Sequence, residues 1–192
     1  ERRVASARRG RPTAVVGIAL GAAQAPVAAA RSVIARPALP LRPEAKAPVK
    51  AGTMPHRTLG RTGASVSILA MGCGSRFLMF PAEEATAVLE KAVGLGINYL
   101  DTAVNYGDGE SETRLGRFLA TRRKDVFLAT KVPGRSRTRD AALKEVEASL
   151  KRLQTDHLDL LHLHSLGDEA DLAKIEAKDG AIKALYELRE QK

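Results

Sequence analysis

The stretch "INYLDTAVNYGDGESETRLGRFLA", Ile97 to Ala120, holds a strand, a turn and a helix in that order. "INYLD" is a short, mostly apolar run of the kind that forms a buried strand. "NYGDG" is dense in turn formers, and a helix follows over "SETRLGRFLA". Where the strand runs out stands a carboxylate, Asp101, with a phenol, Tyr106, five positions later. Plain turn chemistry accounts for the pair, and so does an active site; the flanking segments decide between them.

The same unit recurs on both sides. "VSILAMG" reads as a buried strand, and "AEEATAVLEKAV" puts Ala85, Val88, Leu89, Ala92 and Val93 at i, i+3, i+4, i+7 and i+8, one apolar helix face. The strand "VFLATK" precedes "TRDAALKEVEASLKRL", whose Val146, Leu150 and Leu153 share a face and whose Asp140 sits in the first turn, where a carboxylate suits the helix dipole. "LDLLHLH" precedes "AIKALYELREQK", across an acidic segment, "SLGDEADLAKIEAKDG", that reads as a solvated loop. The strand ends fall near Gly72, Asp101, Lys131 and His164, at spacings of 29, 30 and 33 residues.

Buried strands alternating with amphipathic helices imply a parallel sheet with right-handed crossovers, an α/β fold. A doubly wound sheet and a (β/α)8 TIM barrel share this period. A barrel presents functional side chains from the C-terminal ends of successive strands to one mouth, and here each strand ends in a chemically useful residue. Residues 54–192 are therefore predicted to be the first half of a (β/α)8 barrel, with Met54 a natural start.

Residues 1–53 differ in kind. They hold ten Lys/Arg against two Asp/Glu, while residues 54–192 hold twenty-one against twenty, so nearly all of the net charge of +9 lies in the leader. A nucleic-acid binder would carry its basic patch on the folded domain, and with no Trp and 4% aromatics there is no stacking platform for bases. The leader also has six of the nine prolines and reads as mostly disordered. Its "RRVASARRGR" precedes the uncharged run from Pro12 to Ala30, which ends in Ala28-Ala29-Ala30, the outline of a signal peptide. Arg8-Arg9 loosely resemble a twin-arginine export signal, although Arg11 stands where a large apolar residue belongs. Export and an unfolded extension of a cytoplasmic protein are the two readings. Stable membrane insertion is not expected, because Gln24 and Pro26 break an Ala/Gly-rich run of barely ~20 residues.

A phenol has an ordinary pKa near ~10 and is a poor proton donor at neutral pH. An ammonium beside it favours the phenolate, a carboxylate holds that ammonium charged and in place, and a neutral imidazole can orient a substrate oxygen. Asp101, Tyr106, Lys131 and His164 together suit general acid catalysis at a carbonyl. Alone, Lys131 reads as a solvated charge. His162 and His164 share one strand face, and an H-x-H pair also begins some zinc sites of metal-dependent hydrolases, but His56 and His157 are poorly placed to complete one. Cys73 reads as core packing, and as the single cysteine it excludes an intramolecular disulfide.

"YLDTAVNYGDGESE", "VFLATK" and "LDLLHLH", with the opening "HRTLGRTGASVSILAMGCGS", resemble the aldo-keto reductases from His56 to the C-terminus. The resemblance implies Tyr106 as general acid, Lys131 as the group that favours its deprotonation, Asp101 as the partner of Lys131, and His164 as the orienting imidazole. His164 lies five residues after Asp159, the family's spacing, which leaves His162 as barrel lining. Gly74 and Ser75 match the family's Gly-Thr near the nicotinamide ribose, so Gly74, Ser75 and Asp101 are the implied cofactor contacts, with no metal. The implied activity is reduction of aldehydes or ketones with NADPH, NADH being the alternative, on a small-molecule carbonyl substrate. A non-catalytic nicotinamide-binding regulatory barrel is the rival reading. Four βα units do not close a barrel, so this chain alone is expected to be inactive.

Overall fold

The computed structural model describes residues 15–20 and 54–191. Four strand-helix units follow one another: β4 (Ala70–Gly72) with α1 (Ser75–Leu78) and α2 (Ala82–Gly94), β5 (Tyr99–Asp101) with α3 (Glu110–Arg122), β6 (Phe127–Val132) with α4 (Arg139–Leu153), and β7 (Leu160–Leu166) with α5 (Glu169–Glu176) and α6 (Ala181–Glu190). The strands pair in parallel in chain order, Gly72 opposite Asp101, Asp101 opposite Ala129 and Lys131 opposite His162. The expected α/β fold with a parallel sheet and successive βα units is present.

Side-chain alternation divides these strands between two surroundings. Met71, Leu100 and Leu128 face the helices and pack with Leu89, Leu115, Phe118, Leu119 and Leu153. Val132, Leu161 and Leu163 meet Val146, Ile175, Ala184 and Leu185 on the same outer side. Tyr99, Phe127, Ala129 and Leu160 face the other way, and there they meet Ala64 and Val66 of a small hairpin, β2 (His56–Thr58) with β3 (Ser65–Ser67). That hairpin covers the inner face at the N-terminal ends of the strands, so the inner face is open to chemistry only at their C-terminal ends.

Two helices meet unusually closely. A Cβ added to Gly116 of α3 would lie 2.2 Å from the backbone oxygen of Arg152 in α4. Only glycine fits this crossing, and the close approach draws α3 tightly against its neighbour. Helix α4 is begun by Thr138, whose hydroxyl accepts the Ala141 N–H, and carries Asp140 in its first turn.

Two expectations are corrected. "VSILAMG" is not one buried strand: Val66 and Ser67 belong to the hairpin and Ala70–Gly72 to the sheet, with Ile68 and Leu69 exposed between them. The break is fixed by Ser67, whose N–H donates to the Asn98 side chain at 2.7 Å and whose hydroxyl donates to the Leu69 carbonyl at 2.7 Å. The acidic segment is not simply a loop, because Asp168 caps α5 by accepting the Asp171 N–H and Ile175 is buried in the outer core. Within the leader, expected to be mostly disordered, Val15–Leu20 forms a strand, β1, parallel to β7 and at the edge of the sheet. The Arg8-Arg9 pair and the Ala28–Ala30 site lie outside the described residues. No helix among the described residues is long and apolar enough to cross a membrane.

Candidate active site

Three of the predicted residues, Asp101, Lys131 and His164, reach the open end of the inner face by strand alternation. On β6, Phe127, Ala129 and Lys131 point inward in turn; the first two are in the inner core, and Lys131 is the row's last and polar member. Asp101 continues from Tyr99 in the same way on β5, and His164 from Leu160 and His162 on β7. Tyr106 arrives from the loop after β5, which turns through the positive φ of Gly107 and Gly109 into α3.

Lys131 is buried, and its three ammonium hydrogens have three acceptors: Asp101 Oδ2 at 2.7 Å, the Thr102 carbonyl at 2.8 Å and the Tyr106 phenol oxygen at 3.2 Å. A buried lysine so saturated is held in one position. Because the phenol oxygen accepts from Lys131, its own O–H is left to be given elsewhere. The His164 ring stands edge-on to the Tyr106 ring, with centroids 5.9 Å apart. Burial, reinforced by the positive charge of Lys131 and weakly by Arg137, holds His164 below the ordinary imidazole value while Asp101 opposes the shift. His164 is therefore a neutral imidazole at pH 7.

The two remaining predicted residues follow β4, Gly74 as the N-cap and Ser75 as the first residue of α1. A Cβ added to Gly74 would be 3.8 Å from the Tyr106 ring, so Gly74 borders the phenol. Ser75 is exposed. The structure thus brings Asp101, Tyr106, Lys131, His164 and Gly74 to one place, with Ser75 next to Gly74 in the chain. The Asp101 carboxylate and the backbone at Gly74, both beside the phenol, are groups of the kind that could meet the polar edge of a nicotinamide ribose. His162 falls in the inward row below His164. Among the described residues, no group of three or more His, Cys, Asp or Glu could hold a metal ion.

Cys73 is buried in the outer core, and its thiol is pushed up to about 12, mainly by burial with a contribution from Asp101 and partial relief from Lys131. It is no nucleophile at neutral pH. Asp159, used above only for its spacing, lies at the far end of β7, where it accepts from Arg123 at 2.7 Å and from the Leu128 N–H at 2.8 Å.

Two buried ionic groups escaped the sequence reading. Arg137, after β6, is 7% exposed; it forks onto Asp171 at 2.7 and 2.6 Å and donates to the His164 carbonyl at 2.7 Å and the Ser165 carbonyl at 3.1 Å. It thereby fixes the backbone that carries His164, and steadies Ser165 at a φ of 54°. Glu112, in the first turn of α3, is fully buried and accepts from Thr130 and Arg152. Helical spacing held a signal for it, since Glu112 shares a face with Leu115, Gly116 and Leu119. For Arg137 the sequence holds no such signal.

The model of the Aldo/keto reductase family matches residues 70–191. The chain is 36% identical over 148 residues to the uncharacterized oxidoreductase YqkF of Bacillus subtilis (strain 168), covering 72% of this chain and 46% of that protein. It is similar to an aldo-keto reductase from Bacillus halodurans in its holo form, with a TM-score of 0.62 and 34% identity over 72% of this chain and 47% of that one. It is also similar to an aldo-keto reductase from Klebsiella pneumoniae in complex with NADPH, with a TM-score of 0.57 and 28% identity over 67% and 43% of the respective chains. The chain spans about half the length of the curated relatives it matches. Since the family match takes in all four strand ends of the candidate site, the chain belongs to the aldo/keto reductase family.

Proposed function

We propose that this protein is a nicotinamide-dependent carbonyl reductase, acting on a small aldehyde or ketone with NADPH, or alternatively NADH, as the reductant. The cofactor, when bound, supplies the hydride for the carbonyl carbon. Gly74, Ser75 and Asp101 are the residues that would hold its nicotinamide end. Tyr106 gives its proton to the carbonyl oxygen, and the resulting phenolate is stabilised by the Lys131 ammonium 3.2 Å away until solvent reprotonates it. Asp101 keeps that ammonium charged and in position. Neutral His164, edge-on to Tyr106, hydrogen-bonds the same carbonyl oxygen and turns it toward the phenol.

The observation that carries this reading is the saturation of the Lys131 ammonium by Asp101, the Thr102 carbonyl and the Tyr106 oxygen. Similarity to an aldo-keto reductase solved with NADPH supports the choice of cofactor. The test is Tyr106→Phe in the protein as its gene encodes it. Aldehyde reduction should fall by about 10²- to 10⁴-fold, the span of a lost general acid, while nicotinamide binding followed by fluorescence stays within about twofold. A Phe variant with most of the wild-type kcat would remove Tyr106 from the role. For the leader, the basic start, uncharged run and Ala28-Ala29-Ala30 ending support export followed by cleavage near Ala30, which would take β1 away from the mature chain and leave the outer edge of β7 unpaired.

A further inference from the structure

We propose that Ser111 and Glu112, neighbours on the first turn of α3, are positioning residues that set the relative heights of Asp101, Tyr106 and Lys131 from the helix side of the sheet. The proposal rests on the reading of Tyr106 as proton donor. The three catalytic side chains project from the inner face. Every contact described next lies on the outer face or in the backbone, so none of it belongs to the substrate side of the site.

Ser111 reaches two strand ends and the tyrosine loop. Its hydroxyl donates to the Cys73 carbonyl, just past β4, at 2.6 Å. A carbonyl can only accept, so the single Ser111 hydrogen is committed there, and in the 2.8 Å contact with Thr102 Oγ1 the threonine is the donor. The Ser111 N–H donates to the Tyr106 carbonyl at 3.2 Å. Thr102 directly follows Asp101, and its own carbonyl is one of the three acceptors of Lys131. One serine therefore ties together the residue that follows Asp101, the tyrosine backbone and the end of β4.

Glu112 holds the next strand. Its Oε1 accepts from Thr130 Oγ1 at 2.6 Å and its Oε2 from Arg152 Nε at 2.7 Å. Thr130 immediately precedes Lys131 and points outward because Lys131 points inward. Glu112 and Thr130 are 0% and 1% exposed. A fully buried carboxylate is costly, and apolar residues of the same volume would fill the space as well or better. What a charged, short, directional pair adds is one permitted distance between α3 and β6. Arg152, which also donates to Glu145 and Ser149, fixes the carboxylate from α4. The packing of Gly109 against the Arg152 side chain, where a Cβ would come within 2.8 Å, leaves that guanidinium little room.

The two adjacent residues thus grip Thr102 and Thr130, the chain neighbours of Asp101 and Lys131. A slip of β6 against α3 by about 1 Å would take Lys131 Nζ out of hydrogen-bond range of a phenol oxygen that it now meets at 3.2 Å, and misplacements of that size cost up to about 10²-fold in rate.

Thr130→Val is nearly isosteric and removes only the hydroxyl, and Ser111→Ala removes the other grip. In the protein as its gene encodes it, each should lower kcat for aldehyde reduction by about 10- to 100-fold with the nicotinamide KM within about twofold, and Thr130→Ser should retain most of the rate. In a Lys131→Met background, Thr130→Val should cause no further loss of the residual rate, although it lowers the melting temperature equally in both backgrounds. An unchanged kcat in Thr130→Val and Ser111→Ala overturns the proposal. Equal proportional losses in both backgrounds overturn it too, because they are the mark of a purely structural role. An active Tyr106→Phe enzyme, measured alongside, also overturns it, and identifies the proton donor rather than the α3 grips as the faulty premise.

Discussion

Gly116→Ala sets two well-characterised effects against each other. In a helix interior, alanine is favoured over glycine by about 1 kcal/mol, so propensity alone predicts a more stable protein. The structure predicts the opposite. The added methyl would lie 2.2 Å from the Arg152 carbonyl oxygen and 3.1 Å from the Leu153 carbonyl carbon, and Cβ contacts below 3.0 Å are essentially never seen. To clear the oxygen, α3 and α4 must separate by at least about 0.8 Å, the difference between those limits. The obstacle is backbone in the last turn of α4, not the end of a flexible side chain, so the cost lies at the upper end of overpacking penalties, about 3 kcal/mol. Offset by propensity, the net destabilisation is about 2 kcal/mol, or about 4–8 °C in Tm for a chain of this size. The control is Gly94→Ala at the end of α2, where an added Cβ meets nothing within 4 Å, and there stability should hold or rise by a few tenths of a kcal/mol. Urea unfolding of both variants by circular dichroism decides. A Gly116→Ala protein as stable as wild type would mean that the α3–α4 crossing is looser than described, and the distances that depend on it would lose their force.

The hydrogen bonds from Arg137 hold the Asp171 carboxyl below the usual carboxylate range. A depressed folded-state value stabilises the fold above the unfolded value of about 4 and loses that contribution as pH falls through the folded value. The stability difference between wild type and Asp171→Asn should accordingly be level near neutrality and shrink below about pH 4 in urea titrations; a difference that widens on acidification would contradict the ion pair. For the leader, mass spectrometry of the protein from its own cells should find an N-terminus shortly after Ala30, and an intact leader on a cytoplasmic protein would remove the export reading.

The parts legible in the sequence are those written in single-element periodicity. The apolar stripes of α2 and α4 and the near-continuous apolar strands are properties of adjacent residues, and so is the polar residue that ends each strand. Knowing where a strand ends was enough to place Asp101, Lys131 and His164 at one mouth, since alternation fixes which side chains point inward. The break at Ser67 was hidden because it depends on Asn98, 31 residues away, and an apolar run carries no mark of a hydrogen bond made to its backbone. The same holds for Arg137 and Asp171, 34 residues apart, each an ordinary surface residue in its own segment. Helix α5 was obscured by its charge, because one buried residue, Ile175, holds it down and gives no periodic pattern.

The order of the strands bears on how the protein is made. In β4, β5, β6 and β7 each strand pairs with the next one formed, with partners such as Leu100 and Leu128 or Thr130 and Leu161 about thirty residues apart. Loops of that length close at modest entropic cost, so the sheet can be laid down strand by strand as the polypeptide leaves the ribosome, with Asp101 and Lys131 joined before β7 has been synthesised. The pairing of Val15 with Leu160 belongs to another class, since 160 − 15 = 145 positions separate its two partners. β1 and β7 therefore meet only by closing a long loop, and until they do β7 offers an open edge to any extended segment that reaches it.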